Sequence, residues 1–177
     1  MSNFYMTLPA EEMARQVAEL LNNHNVLRKH HTARTIMSGR GAYFIDIVGG
    51  QVVGCSAVWR ETDEVTRQFH LCVHPNFRRQ GLGRKLKLAS LSHVTTPYVY
   101  VTIREDNVAS INLNTSLGFI LIKKDWAADH NVLTLGRTLT NDRPGTVKVD
   151  TSQRENINHV TTNTPSLFYT GAWADTY

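Results

Sequence analysis

The residues from His74 to Lys87 can do chemistry by their type and spacing. The run Arg78-Arg79-Gln80-Gly81-Leu82-Gly83-Arg84-Lys85-Leu86-Lys87 carries five cations and no acid. Two glycines one residue apart let a backbone fold closely around an anion. If a helix starts there, its first N–H groups have no intrahelical acceptor and point at whatever lies in front of them. Each charge-assisted hydrogen bond to such an anion is worth about 1.5–3 kcal/mol. The chemistry is therefore the holding of a pyrophosphate or a similar oxyanion. Leu86 stands where a dinucleotide fingerprint needs its third glycine, and no Gly-Lys-Ser/Thr follows, so the run is neither that fingerprint nor a Walker loop. The plainer alternative is a solvated basic helix face.

These residues need a strand to deliver them and a helix to receive them. Tyr43–Val48 and Gln51–Arg60 alternate as strands around Gly49-Gly50, a two-residue hairpin signal. Gly54 within the second strand suggests a bulge or a close backbone approach. Val65–His74 is a third strand stopped by Pro75, and a helix follows through Leu82, Leu86 and Leu91. Tyr98–Ile103 is a further strand. Asp106 or Asn107 can cap the next helix, which Gly118 ends. Phe119–Lys123 and Asn131–Leu139 read as two last strands. Upstream, Leu8-Pro9-Ala10-Glu11-Glu12 opens a helix whose apolar residues Met13, Val17, Leu20 and Leu21 form one stripe. Residues 24–41, with His30-His31, carry no clear pattern. The order predicts an α/β (α+β) fold: one domain over residues 1–140 with a mixed, mostly antiparallel sheet flanked by helices. A polar extension over residues 141–177 ends in Phe168, Tyr169, Trp173 and Tyr177. Those rings could dock on the domain, or on a second copy as a homodimer, or simply belong to a disordered tail.

Composition bounds the function. The chain has 177 residues, 41% hydrophobic and 19% charged, enough apolar content for a real core. It has no apolar run long enough to span a membrane. The N-terminus has no basic start followed by an apolar block, so a cytoplasmic location is expected. Two cysteines, Cys55 and Cys72, are too few for a disulfide framework and read as buried thiols. Residues 1–140 hold 16 Lys and Arg against 11 Asp and Glu. That basic balance keeps a nucleic-acid partner in view.

The phosphate-loop run and the segment Asn107…Ser110…Leu113…Leu117-Gly118-Phe119, in this order, resemble the GNAT superfamily of N-acetyltransferases. The resemblance covers roughly residues 5–140. It implies that the strands ending near Val73 and Ile103 splay and admit the pantetheine of acetyl-CoA. The backbone of Leu71, Cys72 and Val73 would hold pantetheine and polarise the thioester. Arg78, Arg79, Gln80, Gly81, Leu82, Gly83 and Arg84 would hold the pyrophosphate, and Asn107 would contact the cofactor arm. A neutral amine would then attack the acetyl group directly.

The resemblance fails at the usual acid and base positions. The tyrosine that protonates the leaving thiolate in many members is Asn114 here. The glutamate base of the ribosomal-protein enzymes is Thr102, and that of the histone-type enzymes is Arg67. Tyr100 is a candidate proton donor, with Tyr98 farther along its face; both could equally be packing residues. Ser116 could relay through water. Glu105 and Asp106 read as helix-end acids, and His70 as a structural histidine facing away from Leu71 and Val73. His70 and His74 do not converge on a strand, so no metal is expected. No Gly-x-Ser-x-Gly elbow is present.

The function expected is an acyltransferase moving acetyl from acetyl-CoA to an amine of a small molecule, protein or other acceptor. Glu61, Asp63 and Glu64 could attract a cationic amine. Two alternatives stand beside it: a DNA-modifying enzyme on the same scaffold, like the phage Mom proteins, and a non-catalytic CoA-binding assembly domain.

Overall fold

A computed structural model describes residues 8–27, 29–127 and 129–139, and the backbone of 166–169. Helix α1 (Ala10–His24) starts after Pro9, with Glu11 and Glu12 in its first turn. It buries Ala14, Val17, Ala18 and Leu21, the stripe set by the helical period. Helix α2 (Ala33–Met37) lies in the segment that showed no pattern. It is too short to show a period, buries Ile36, and is held by a capping box between Thr32 and Thr35.

Strands β1 (Ala42–Val48) and β2 (Gln51–Arg60) form the expected hairpin. Gly49 and Gly50 have φ of 58° and 79°, the pair of positive values that a tight hairpin turn requires. Strand β3 (Val65–Val73) pairs antiparallel with β2. Helix α3 (Leu82–Ser92), strand β4 (Tyr98–Arg104) and helix α4 (Val108–Ser116) follow. Strands β5 (Ile120–Ala127) and β6 (His130–Thr138) form the last long hairpin, and β7 (Ser166–Tyr169) pairs antiparallel with β1. The sheet order is β5-β6-β4-β3-β2-β1-β7, and only β3 and β4 run parallel to each other. Trp173 and Tyr177, the rest of the aromatic ending, lie outside the described residues.

Both faces of the sheet are covered. Helices α1 and α2 pack with Tyr43, Ile45, Cys55, Ala57 and Cys72 on one face. On the other, Leu86 of α3 packs with Ala42, Phe44 and Val58, and Leu117 at the end of α4 packs with Val99, Val101 and Ile103. Gly54 permits the close approach expected of it: a Cβ there would sit 2.7 Å from Leu86 Cδ1.

Candidate active site

Strands β3 and β4 share only three rungs: Val65 with Tyr98, Thr66 with Val99, and Arg67 with Tyr100. Beyond them the strands part, while β4 stays paired with β6 as far as Arg104 and Val132. The edge of β4 facing β3 is therefore open to an added chain. A cavity of about 540 Å³ occupies the gap, lined by Leu71, Lys87, Val101, Ile103, Asn107 and Ser110, with Tyr43, Arg67 and His70 also on its wall.

A slip in register between β2 and β3 puts Ser56 opposite His70 and Leu71. The extra residue of such a bulge leaves a backbone group outside the ladder. His70 carries the local distortion, with φ of 54°. Its Nδ1 lies 2.6 Å from the Tyr43 hydroxyl, and its ring meets those of His31 and Phe69 edge-on. Burial pushes His70 down to about 3, with His31 and Arg67 adding to the effect. The imidazole is thus neutral in the cleft at ordinary pH.

The phosphate-loop run lies at the end of β3. Pro75–Phe77 forms a 3-10 turn, and Arg79 and Gly81 then take positive φ values of 63° and 81°. Gly81 immediately precedes α3, and a Cβ placed on it would meet nothing within 4 Å. Open space thus stands before a helix N-terminus whose first amides have no partners along the helix. These residues fit a pyrophosphate. Arg78 braces the loop: its Nε donates to the Val73 carbonyl at 2.9 Å and its Nη2 to the His24 carbonyl at 3.4 Å. Gln80 Nε2 donates to the Asn76 carbonyl at 3.1 Å. Lys85 is paired with Asp46 at 2.8 Å.

Several residues expected at the site stand there. Leu71 and Asn107 line the cavity, and the Asn107 side chain also caps α4 by accepting from the Ser110 amide at 3.1 Å. The Cys72 side chain is buried with α1, and burial raises its thiol to about 11, so only its backbone can serve. The Val73 carbonyl is already occupied by Arg78.

The two candidate catalysts are placed elsewhere. The Tyr100 hydroxyl donates to the Glu61 carboxylate, 2.9 Å from each oxygen, and Tyr100 does not line the cavity. Ser116 accepts from Arg84 Nη1 at 3.0 Å and donates to the Leu113 carbonyl at 2.8 Å, also outside the cavity. None of Glu61, Asp63 and Glu64 lines it, and Asp63 is paired with Arg60. The acidic turn therefore lies outside this cavity.

Sequence reasoning missed Lys87 and Tyr43 as cavity residues, and took Arg67 and His70 only as a vacancy and a structural residue. His70 does face away from Leu71 and Val73, with Phe69 and Tyr43, yet the splay exposes both faces of the sheet to the cavity. One signal was available. Gly83, Lys87 and Leu91 fall at helical spacing, so Lys87 lies on the inward face of α3.

Among the described residues, no three His, Cys, Asp or Glu side chains converge as a metal site would need. No described helix is long and apolar enough to cross a membrane.

A family model described as the acetyltransferase (GNAT) family matches residues 10–119. A comparison with curated proteins gives no match. Among solved structures, Ard1 from Thermoplasma volcanium aligns with a TM-score of 0.62 and 22% identity, over 73% of this chain and 93% of that one. The ribosomal-protein-S18-alanine N-acetyltransferase of Escherichia coli gives 0.56 and 20%, over 72% and 86%. A GNAT family acetyltransferase from Elizabethkingia anophelis, solved with acetyl-CoA bound, gives 0.56 and 13%, over 78% and 95%.

Proposed function

The chain belongs to the acetyltransferase (GNAT) family, and from that premise we propose that it is an N-acetyltransferase acting on a small amine that carries an anionic group. The observation that carries the transfer is the parted β3–β4 pair with its cavity, together with the open loop at Gly81 that joins the end of β3 to α3. Acetyl-CoA supplies the acetyl group as an activated thioester when bound. The backbone amides from Arg79 to Arg84, at the start of α3, hold the pyrophosphate. The open edge of β4 hydrogen-bonds to the pantetheine as to an added strand. The bulge at His70 and Leu71 offers a backbone group to the thioester carbonyl, where charge develops during attack.

The acceptor class follows from charge. Arg40, Arg67, Arg104 and Lys87 line the cavity, and no Asp or Glu among the described residues does. Arg104 is neutralised by Asp106 at 2.8 Å. Arg67 spends Nη2 on Thr102 Oγ1 at 3.3 Å, while its buried Nε has no partner among the described residues. A polycationic amine is repelled there, whereas an amine with a carboxylate or phosphate satisfies Arg67. Such an amine arrives neutral at nitrogen or passes its proton to an imidazole on the wall, since no carboxylate among the described residues lines the cavity.

Calorimetric titration with acetyl-CoA tests the donor site, with Gly81→Trp as control. Binding by the wild type that disappears in the variant is expected. Equal affinity in both, or none in the wild type, would overturn the assignment. Assay of paired amines, such as amino acids and their amides, then tests the acceptor: the anionic member of each pair should turn over faster. Preference for the amides would refute that class.

A further inference from the structure

Lys87 has no evident structural reason to be a lysine. It is 1% exposed, lies on the inward face of α3 and lines the cavity. Its backbone carbonyl accepts from Gln68 Nε2 at 3.2 Å, which fixes the helix against β3. Its ammonium sits 5.1 Å from the centre of the Phe119 ring. Among the described residues it has no carboxylate and no hydrogen-bond acceptor, and an aliphatic side chain would pack there without the cost of burying charge.

The place reached by the ammonium matters. The Phe119 amide donates to the Asn114 carbonyl at 3.1 Å, so the ring under Lys87 is tied to the end of α4. Asn114 is the residue at the position of the proton-donating tyrosine. Its side-chain amide is buried and donates to the Ser110 carbonyl at 2.8 Å. A neutral amide N–H is far too weak an acid to protonate a thiolate. The cleft thus lacks an acid where one is needed and holds an uncommitted ammonium on the same side of the sheet.

We propose that Lys87 is the catalytic acid that protonates the leaving CoA thiolate. This rests on the reading of the cleft as the acetyl-CoA site. As the amine nitrogen bonds to the carbonyl carbon, the carbon–sulfur bond breaks and its electron pair goes to sulfur. The Lys87 ammonium gives one proton to that sulfur and becomes a neutral amine. The new amide nitrogen loses one proton, and Lys87 regains one through solvent. The net change is one proton moved from nitrogen to sulfur. Burial pushes Lys87 down to about 7, so both halves of that exchange are accessible near neutral pH.

A binding measurement tests this without turnover. The wild type and Lys87→Met are each titrated with CoA and with desulfo-CoA, which lacks only the sulfur. Methionine is close in volume and removes a buried charge, so the variant should fold; circular dichroism checks that. The wild type should prefer CoA by at least about tenfold, the weight of one charge-assisted hydrogen bond. Lys87→Met should bind the two ligands equally, and its turnover should fall roughly 10²–10⁴-fold. Lys87→Gln should behave like Lys87→Met. An undiminished preference in the variants, or no preference in the wild type, would overturn the role of Lys87 and leave the donor site standing. Failure of the wild type to bind either ligand would overturn both.

Discussion

Replacing Lys87 by methionine should make the protein more stable, and by an amount that depends on pH. Burial lowers the Lys87 ammonium from 10.5 to about 7. Each pKa unit corresponds to ~1.4 kcal/mol, so holding the charge inside costs the folded state ~5 kcal/mol at or below neutral pH. The Phe119 ring at 5.1 Å offsets part of this, ~2 kcal/mol for a desolvated cation over an aromatic face. The net gain expected on removing the charge is ~3 kcal/mol, within the range for replacing buried ions by packed apolar groups. In a chain of 177 residues that is a rise of roughly 6–12 °C in Tm. The sign of the pH dependence follows from proton counts. Between about pH 7 and pH 10.5 the unfolded chain holds the Lys87 proton and the folded chain does not, so wild-type stability rises with pH. Lys87→Met lacks that contribution, so the gap between the two proteins should narrow across the same interval. Urea unfolding of both proteins at several pH values from about 6 to 9.5 measures it. A variant less stable than the wild type at neutral pH would refute the reasoning, because it would mean that the ammonium has a strong partner. A gap that does not change with pH would refute the buried charge itself.

Further outcomes follow from the same geometry. Tyr100→Phe removes one hydrogen bond to a partly exposed Glu61 and should cost about 0.5–1.5 kcal/mol; turnover should change less than about twofold, and a larger loss would return Tyr100 to the catalytic list. His70 is neutral in the folded state down to about pH 3 but titrates near 6.5 when unfolded. The folded protein should therefore lose stability as pH falls from 6.5 toward 3. His70→Asn, which tolerates the positive φ, should flatten that slope in acid unfolding curves; an unchanged slope would show that other groups set it. Arg67→Met should slow turnover of anionic amines more than that of their neutral counterparts in a kcat/KM comparison; equal losses would remove Arg67 from acceptor selection.

The sequence by itself determined the architecture and the course of the candidate phosphate loop. Local signals suffice for both: the glycine pair at 49–50 dictates its own turn, and the apolar period of α1 dictates its buried stripe. The phosphate loop is one continuous run that needs only its own backbone and a helix start. Short α2 escaped because five residues cannot display a helical period. The identity of the groups lining the cavity was decided only in three dimensions. Tyr100 shares a strand face with Thr102, but the cavity opens only beyond the last β3–β4 rung, and Glu61 from a distant turn captures its hydroxyl. Ser116 is held by Arg84, 32 positions away. The β3 bulge, set by pairing with β2, shifts the alternation so that Phe69 and Cys72 share a face. Lys87, Tyr43, Arg67 and His70 come from three separate elements and meet at the parted strands. Which side chains a cavity collects depends on the pairing of strands far apart in the chain, and no local pattern records that.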